Sequence, residues 1–363
     1  MKKQLLLLLM MFLWMTTFAQ KSKVVVKYLN RQLQFTTKGK AVFGAAGSEV
    51  DGGWFLHATY PDSSTLLKAY FSDKRFTVKQ GPYSLFHPRN VLAMQGSFKN
   101  NIPVGRWQYW YPNGQLKDSG MLDNNYMTGT WKSWSEQGRL LIVANYAERA
   151  NHRAPSPDAR NNSLLPGMAP MQGTREGVSI TYYPSGITQD SGMYAANKRT
   201  GPWRSWHSNG RIDAEGVFVR DSMDGKWTFY RENGFKSTEE IYKNGIVQKM
   251  TCYDSTGQPQ GNYCSVLKPP VPEGPFNDFN EYMMDNVFWP RKLEHSDVQG
   301  KVRVQFVVTK NGEISGFKVV DSPHELLSDE VTRFFSTIEK WSPAISHNRA
   351  VDFPMEYEVP FFR

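Results

Sequence analysis

The chain has 363 residues and a formal net charge of +9, a length that holds two or three domains at about 150 residues each. Its 11 Trp, 17 Tyr and 22 Phe, set among 29 Gly and 21 Pro, suit short antiparallel strands joined by turns, and they exclude wholesale disorder and a multispanning membrane protein. Acidic residues are mixed through the chain with the basic ones, which argues against nucleic acid as a partner.

Lys2 and Lys3 precede an unbroken apolar run, Leu5 to Trp14, and Thr17-Phe18-Ala19 supplies a small-x-small site before Gln20. This is the three-part pattern of a secretory signal peptide, residues 1–19, and the run is shorter than the about 20 residues that cross a hydrocarbon core. The expected location is the periplasm or cell envelope; the alternative is an uncleaved inner-membrane anchor. Loss of Lys2 and Lys3 lowers the net charge from +9 to +7. Residues 20–80 read as degenerate β structure, with Gly53-Trp54 and Tyr60-Pro61 as faint echoes of a repeat that becomes regular at Gly81.

A 24-residue register dominates from there. Gly81, Gly105, Gly129, Gly177, Gly201 and Gly225 lead its copies. Two positions later stand Tyr83, Trp107, Trp131, Ser179, Trp203 and Trp227; five positions later Phe86, Trp110, Trp134, Tyr182, Trp206 and Tyr230. At nine positions come Asn90, Gly114, Gly138, Gly186, Gly210 and Gly234, and at seventeen Phe98, Leu122, Tyr146, Tyr194, Phe218 and Tyr242. Each copy reads as a β-hairpin turning at Asn113-Gly114, Asn209-Gly210 or Asn233-Gly234, where the dipeptide supplies positive φ. A lone hairpin is marginal in water, so the copies must stack over a shared core. The two aromatic columns lie three residues apart, which requires either two covered faces or a bulge. Copies occupy 81–146 and 177–267, and 147–176, with Ala154-Pro155-Ser156-Pro157 and Asn161-Asn162-Ser163, reads as an inserted loop. These columns resemble the MORN-type repeat in its bacterial exported and antitoxin-like variant, which implies a scaffold or spacer. The columns read as core, the alternative being a carbohydrate-stacking surface.

Cys252 and Cys264 flank the turn-rich Asp254-Ser255-Thr256-Gly257. In an oxidising compartment they are expected to pair, a staple of about 2–3 kcal/mol. Residues 268–275, with Pro269, Pro270, Pro272 and Pro275, read as a linker. Beyond it the pattern is α-β-β-α-β: a helix over 278–289 ended by Pro290, a hairpin of 301–309 and 313–320 around Lys310-Asn311-Gly312, a helix capped by Ser328, and a last strand over 351–362. The fold class is therefore mainly β plus α+β, a hairpin array followed by a small C-terminal domain.

Residues 276–363 resemble the C-terminal domain of TonB, the periplasmic energy transducer of Gram-negative bacteria. The motifs are Gly300-x-Val302-x-Val304-x-Phe306-Val307-Val308, Asn311-Gly312-x-Ile314, Asp329-Glu330-Val331, Trp341-x-Pro343-Ala344 and Val359-Pro360-Phe361. The resemblance implies capture of an extended segment, the TonB box of an outer-membrane transporter, as a strand added beside the last one. Val351, Phe353, Met355, Tyr357, Val359 and Phe361 are the expected partner-strand positions, and Pro354 and Pro360 must be accommodated because they lack N–H.

No nucleophile elbow, P-loop, dinucleotide fingerprint or H-E-x-x-H motif is present. His57, His87, His152, His207, His295, His324 and His347 lack metal-ligand spacing, and Asp221 with Asp224 suits a solvated turn. No catalytic residue, metal, cofactor or small-molecule substrate is expected, and the chain reads as no enzyme. The function expected is an exported interaction protein whose partner is a protein, such as an outer-membrane TonB-dependent receptor. The alternatives are a TonB-type transducer, if the apolar run stays as an anchor, and an envelope structural protein that binds peptidoglycan.

Overall fold

The computed structural model describes residues 24–148, 163–166, 169–261, 264 and 267–362. The expected signal peptide and residues 149–162, 167 and 168 of the loop expected at 147–176 lie outside the described residues. Two compact units divide at Thr200 and Gly201.

In the first unit the chain runs as a continuous meander of antiparallel neighbours, from Phe43–Val50 and Gly53–Thr59 through Lys79–His87, Ile102–Trp110 and Tyr126–Trp134. Residues 43–71 are regular members of the meander, and Trp54, Leu56, Leu67 and Phe71 are buried with Tyr83, Phe98, Trp107 and Trp131 in one core. Trp107 is 1% exposed. Its ring lies edge-on to Phe98, centroids 5.2 Å apart, and stacks on Tyr109.

The Trp columns therefore fill the core. Their indole N–H groups are satisfied there too: Trp131 Nε1 donates to Met121 O and Trp227 Nε1 to Val217 O. The second aromatic column departs from strict alternation through a bulge. Register shifts fall between Tyr109 and Trp110, Ser205 and Trp206, and Phe229 and Tyr230, which leaves Trp110, Trp206 and Tyr230 half-buried at the strand ends.

Turn chemistry differs from the expectation in one respect. At Asn113-Gly114 only the glycine takes positive φ, +85°. Asn113 instead spends its side chain on neighbours: its Oδ1 accepts from Gln115 N, and its Nδ2 donates to Glu136 O one copy further on. Asn209 and Asn233 reach Glu232 O and Ser255 O in the same way. Turns with two positive φ values occur at the opposite ends of the strands, at Asn100-Asn101, Asn124-Asn125 and Ala196-Asn197 in this unit and at Arg220-Asp221 and Asn244-Gly245 in the other, and also at Arg89-Asn90, the first copy's counterpart of Asn113-Gly114. Asn and Asp tolerate this geometry best after Gly. His87 and His207 also serve the repeat. Their rings lie 3.2 and 2.9 Å from Trp110 O and Tyr230 O of the next copy.

The stretch expected as an inserted loop contributes Leu164 to the core, with Leu165 packed against it. Leu164 is 1% exposed, Lys79 Nζ donates to Ser163 O and Tyr83 Oη to Leu164 O. Burial lowers the Lys79 ammonium pKa to about 8.

The second unit has an antiparallel meander of its own, Ile212–Val219, Ser222–Tyr230, Lys236–Lys243 and Ile246–Tyr253. In both units a column of glycines, not anticipated from the sequence, controls the packing. Gly96, Gly120 and Gly216 lie beneath the rings of Trp107, Trp131 and Trp227, where an added Cβ would stand 2.2, 2.2 and 2.1 Å from ring carbon. Gly216→Ala is expected to cost about 2 kcal/mol, because Trp227 has no room to retreat. Gly44→Ala, with nothing within 4 Å of the added carbon, should be close to neutral. Thermal unfolding of the two variants checks this.

The C-terminal domain, also in the second unit, has sheet order Ile314–Asp321, Gly300–Val308, Phe353–Phe361. Val302, Val304, Phe306 and Val308 alternate inward beneath the helix Glu325–Ser336, which buries Leu327, Val331, Phe334 and Phe335. That helix is capped by His324, whose Nδ1 accepts from Leu326 N at 3.1 Å. Ser328 lies inside it, so the expected cap was one turn late. The first helix is shorter than expected, Phe279–Asn286, with Asp278 as its cap.

The Pro-rich stretch is paired rather than free. Leu267 and Lys268 pair with Ser346 and Ile345, and Val271, Pro272 and Glu273 pair with Ser342, Trp341 and Lys340. Prolines are tolerated because these strands are two and three residues long and lie at sheet edges.

Candidate partner-strand edge and its anchorage

The expected last strand is split at Asp352, whose Oδ1 accepts from Lys310 N. Val351 belongs to a separate short strand, Arg349–Val351, paired with Ala344–Ser346. The remaining positions lie in Phe353–Phe361, which runs in unbroken antiparallel register against Gly300–Val308, from Val308 opposite Phe353 to Gly300 opposite Phe361.

One turn fixes which way the amides point. Thr309 N donates to Glu313 O at 2.8 Å. By alternation Val307, Gln305 and Arg303 also turn toward the strand Ile314–Asp321, and Val308, Phe306, Val304 and Val302 turn toward Phe353, Met355, Tyr357 and Val359. The amides of residues 354, 356, 358 and 360 therefore line the outer edge, where no strand pairs among the described residues. Because Pro354 and Pro360 have no N–H, that stretch offers donors only at Glu356 and Glu358, with carbonyls at all four positions.

Phe353, Met355, Tyr357, Val359 and Phe361 turn their side chains into the domain. Val359 and Phe361 are buried, and Met355 and Tyr357 pack against the same core. Burial raises the Tyr357 phenol pKa. An added strand would meet their backbone neighbours and not these side chains.

The solvent face beside the edge is charged. Lys301 Nζ donates to Glu358 at 2.7 Å and Gln305 Nε2 to Glu356 at 2.7 Å, with Arg303 4.0 Å from both Asp321 and Glu356. The Lys301 bond holds the Glu358 carboxyl below its ordinary range. Glu356 and Glu358 went unnoticed in the sequence; the signal was the spacing of Pro354 and Pro360, both on the parity that faces away from the neighbouring strand.

The turn His347-Asn348, φ +50° and +58°, is the tip of the hairpin formed by Ala344–Ser346 and Arg349–Val351. It docks on the repeats within the same unit. His347 stacks on Phe229 with centroids 3.6 Å apart, and its Nδ1 lies 2.9 Å from Glu240 Oε1. Thr238 Oγ1 and Tyr242 Oη also donate to Glu240, which is 0% exposed. Burial by itself would raise this carboxyl's pKa; the three bonds outweigh it and hold the pKa below the ordinary value. Asn348 Nδ2 donates to Tyr253 O, Arg349 Nη1 lies 2.5 Å from Asp213 Oδ1, and Lys310 Nζ lies 2.5 Å from Glu232 Oε1.

Glu240 is the register successor of Gly216, and position 251, where the next Trp would stand, is Thr251. Glu240 thus stands where an earlier copy carries a glycine against a tryptophan ring. Cys252 and Cys264 are joined in a disulfide, with Cα atoms 6.4 Å apart.

Among the described residues no three His, Cys, Asp or Glu side chains group as metal ligands, and no helix is long and apolar enough to cross a membrane.

No curated protein matches the chain. Among solved structures, the crystal structure of TcdB2-TccC3-TEV aligns at 10% identity and a TM-score of 0.17, covering 70% of this chain and 15% of that one. This chain thus spans about 15% of that chain's length. Residues 103–124 match the family model of the MORN repeat variant, and residues 285–361 match that of the Gram-negative bacterial TonB protein C-terminal region. The chain therefore carries a MORN-type repeat segment followed by a TonB-type C-terminal segment, an arrangement that points to a protein-interaction role at the Gram-negative envelope.

Proposed function

We propose that the chain is an exported envelope adaptor that binds an extended segment of an outer-membrane transporter by strand addition along the outer edge of Phe353–Phe361. The observation that carries this reading is that unpaired edge, two N–H donors between two prolines on a strand whose other edge is paired without a break to Gly300–Val308. Main-chain bonds supply affinity in such recognition, and the flanking side chains supply register. The stacked repeats act as the scaffold that presents the edge, and the work of the molecule is binding, not catalysis. The family match to residues 285–361 supports the class of partner.

The test is titration of synthetic N-terminal segments, taken from the outer-membrane transporters of the same genome, into the full mature chain by calorimetry, with amide shifts mapped by NMR. Binding with shifts concentrated at residues 355–359 supports the reading. Failure of the whole panel to bind at millimolar concentration overturns it.

A further inference from the structure

The outward face of the first unit carries a site that strand addition does not use. A hollow of about 460 Å³ is lined by Phe55, His57, Lys68, Tyr70, Pro82 and Ser84. The sheet register arranges these residues in two rows. His57, Lys68 and Ser84 are successive cross-strand partners on three neighbouring strands. Phe55 and Tyr70 are partners in the adjoining row, centroids 5.0 Å apart and tilted by 49°, with Pro82 on the third strand. The rows are two residues apart along each strand, about 7 Å.

One row is thus aromatic and apolar, the other polar and cationic. No carboxylate lines the hollow, so the Lys68 ammonium has no acidic counterpart within it. Burial, and then the charge of Lys68, lower the His57 imidazole pKa, and its Nε2 lies 3.3 Å from Thr65 Oγ1. The residues opposite His57 and Phe55 on the preceding strand are Ala46 and Ser48, too small to fill the space. All three strands are already paired on both sides, so no further strand can add here.

We propose that this hollow binds a sugar ring bearing a carboxylate, the ring face on Phe55 and Tyr70 and the carboxylate at Lys68, with His57 and Ser84 bonding to hydroxyls. A saccharide has the two faces required: C–H groups for an aromatic platform, and a polar rim for a few convergent polar groups. Lys68 selects the acid over the neutral sugar through a charge-assisted bond.

Ligand-observed NMR on the full mature chain tests this with four probes: N-acetylmuramic acid, glucuronic acid, N-acetylglucosamine and acetate. Binding of either acid sugar, well above N-acetylglucosamine and acetate, supports the proposal. Preference for N-acetylmuramic acid points to peptidoglycan as the source, and preference for glucuronic acid to a uronic-acid polysaccharide. Lys68→Gln should weaken the acid sugar roughly tenfold and leave any neutral-sugar binding as it was. Tyr70→Ala should weaken both, and Tyr70→Leu serves if the alanine variant loses its melting transition. Both side chains point away from the core, so thermal unfolding should change little. Absence of binding at millimolar concentration, or binding that ignores Lys68→Gln and the Tyr70 change, overturns it.

Discussion

A chain carrying Glu356→Pro together with Glu358→Pro is expected to fold normally and to bind an added strand at least tenfold more weakly. Both amides point away from Gly300–Val308, so removing them leaves the pairing from Gly300–Phe361 to Val308–Phe353 intact. The strand already accepts proline at the equivalent positions 354 and 360. The ion pairs lost with the carboxylates are exposed and contribute little. The two donors that an incoming strand needs are gone, however. At about 0.5–1.5 kcal/mol for each net hydrogen bond, plus the cost of partner carbonyls left unsatisfied, the loss is one to two orders of magnitude in affinity. Tyr357→Pro is the matched control. Its amide faces Val304, so that single proline should destabilise the domain itself. Calorimetric titration with melting curves for the three chains separates the outcomes, and unimpaired binding by the double variant would place the partner elsewhere.

Glu240→Ala should destabilise the second unit by about 3 kcal/mol. The change empties a fully buried site and strands Thr238 Oγ1, Tyr242 Oη and the His347 ring at once. The same carboxylate gives a signed pH dependence. Its pKa is lower folded than unfolded, so its contribution is fully present above the ordinary carboxyl range and is lost as pH falls through that range toward the folded value. The native chain should therefore lose Tm on acidification from neutral pH to below about pH 4 more steeply than Glu240→Gln does. Parallel acid dependence in the two chains would show that the hairpin is held by other contacts, Arg349 with Asp213 foremost.

The sequence was informative where one force acts with a fixed period. Columns of Trp at 24-residue spacing have to be buried somewhere, and stacking hairpins is the simplest way to bury them, so the array and its core were readable from Trp107, Trp131 and Trp227. The alternation of Val302, Val304, Phe306 and Val308 declared a half-buried strand in the same way.

What escaped was set by neighbours distant in sequence. Gly96, Gly120 and Gly216 recur as regularly as the tryptophans, yet a strand glycine reads as a weakness until the ring above it is seen. Pro269, Pro270 and Pro272 read as a linker because nothing local says that residues 340–346 lie alongside. Ser328 is a better isolated cap than His324, but the helix starts earlier and its Nδ1 bond decides the boundary. At the candidate edge the residue types pointed to Phe353, Met355, Tyr357, Val359 and Phe361, whereas hydrogen-bonding capacity there is set by backbone parity, which Pro354 and Pro360 carry.

The disulfide between Cys252 and Cys264, followed by the paired stretch 267–273, determines how the second unit would respond to tension on its last strand. Load entering at Phe353–Phe361 has two routes to the repeats: the short one through the His347 tip onto Glu240 and Asp213, and the covalent one back along the chain to Cys264. The short route is noncovalent and gives way first. Residues 267 to 273 then peel from their partners in turn, beginning at the end nearest Cys264, each freeing about 3.3 Å of chain. Extension stops at Cys264, which is bonded to the strand Ile246–Tyr253 through Cys252. The joint is an extensible tether with a covalent end-stop, and reduction of the disulfide would lengthen its travel without altering its first yield.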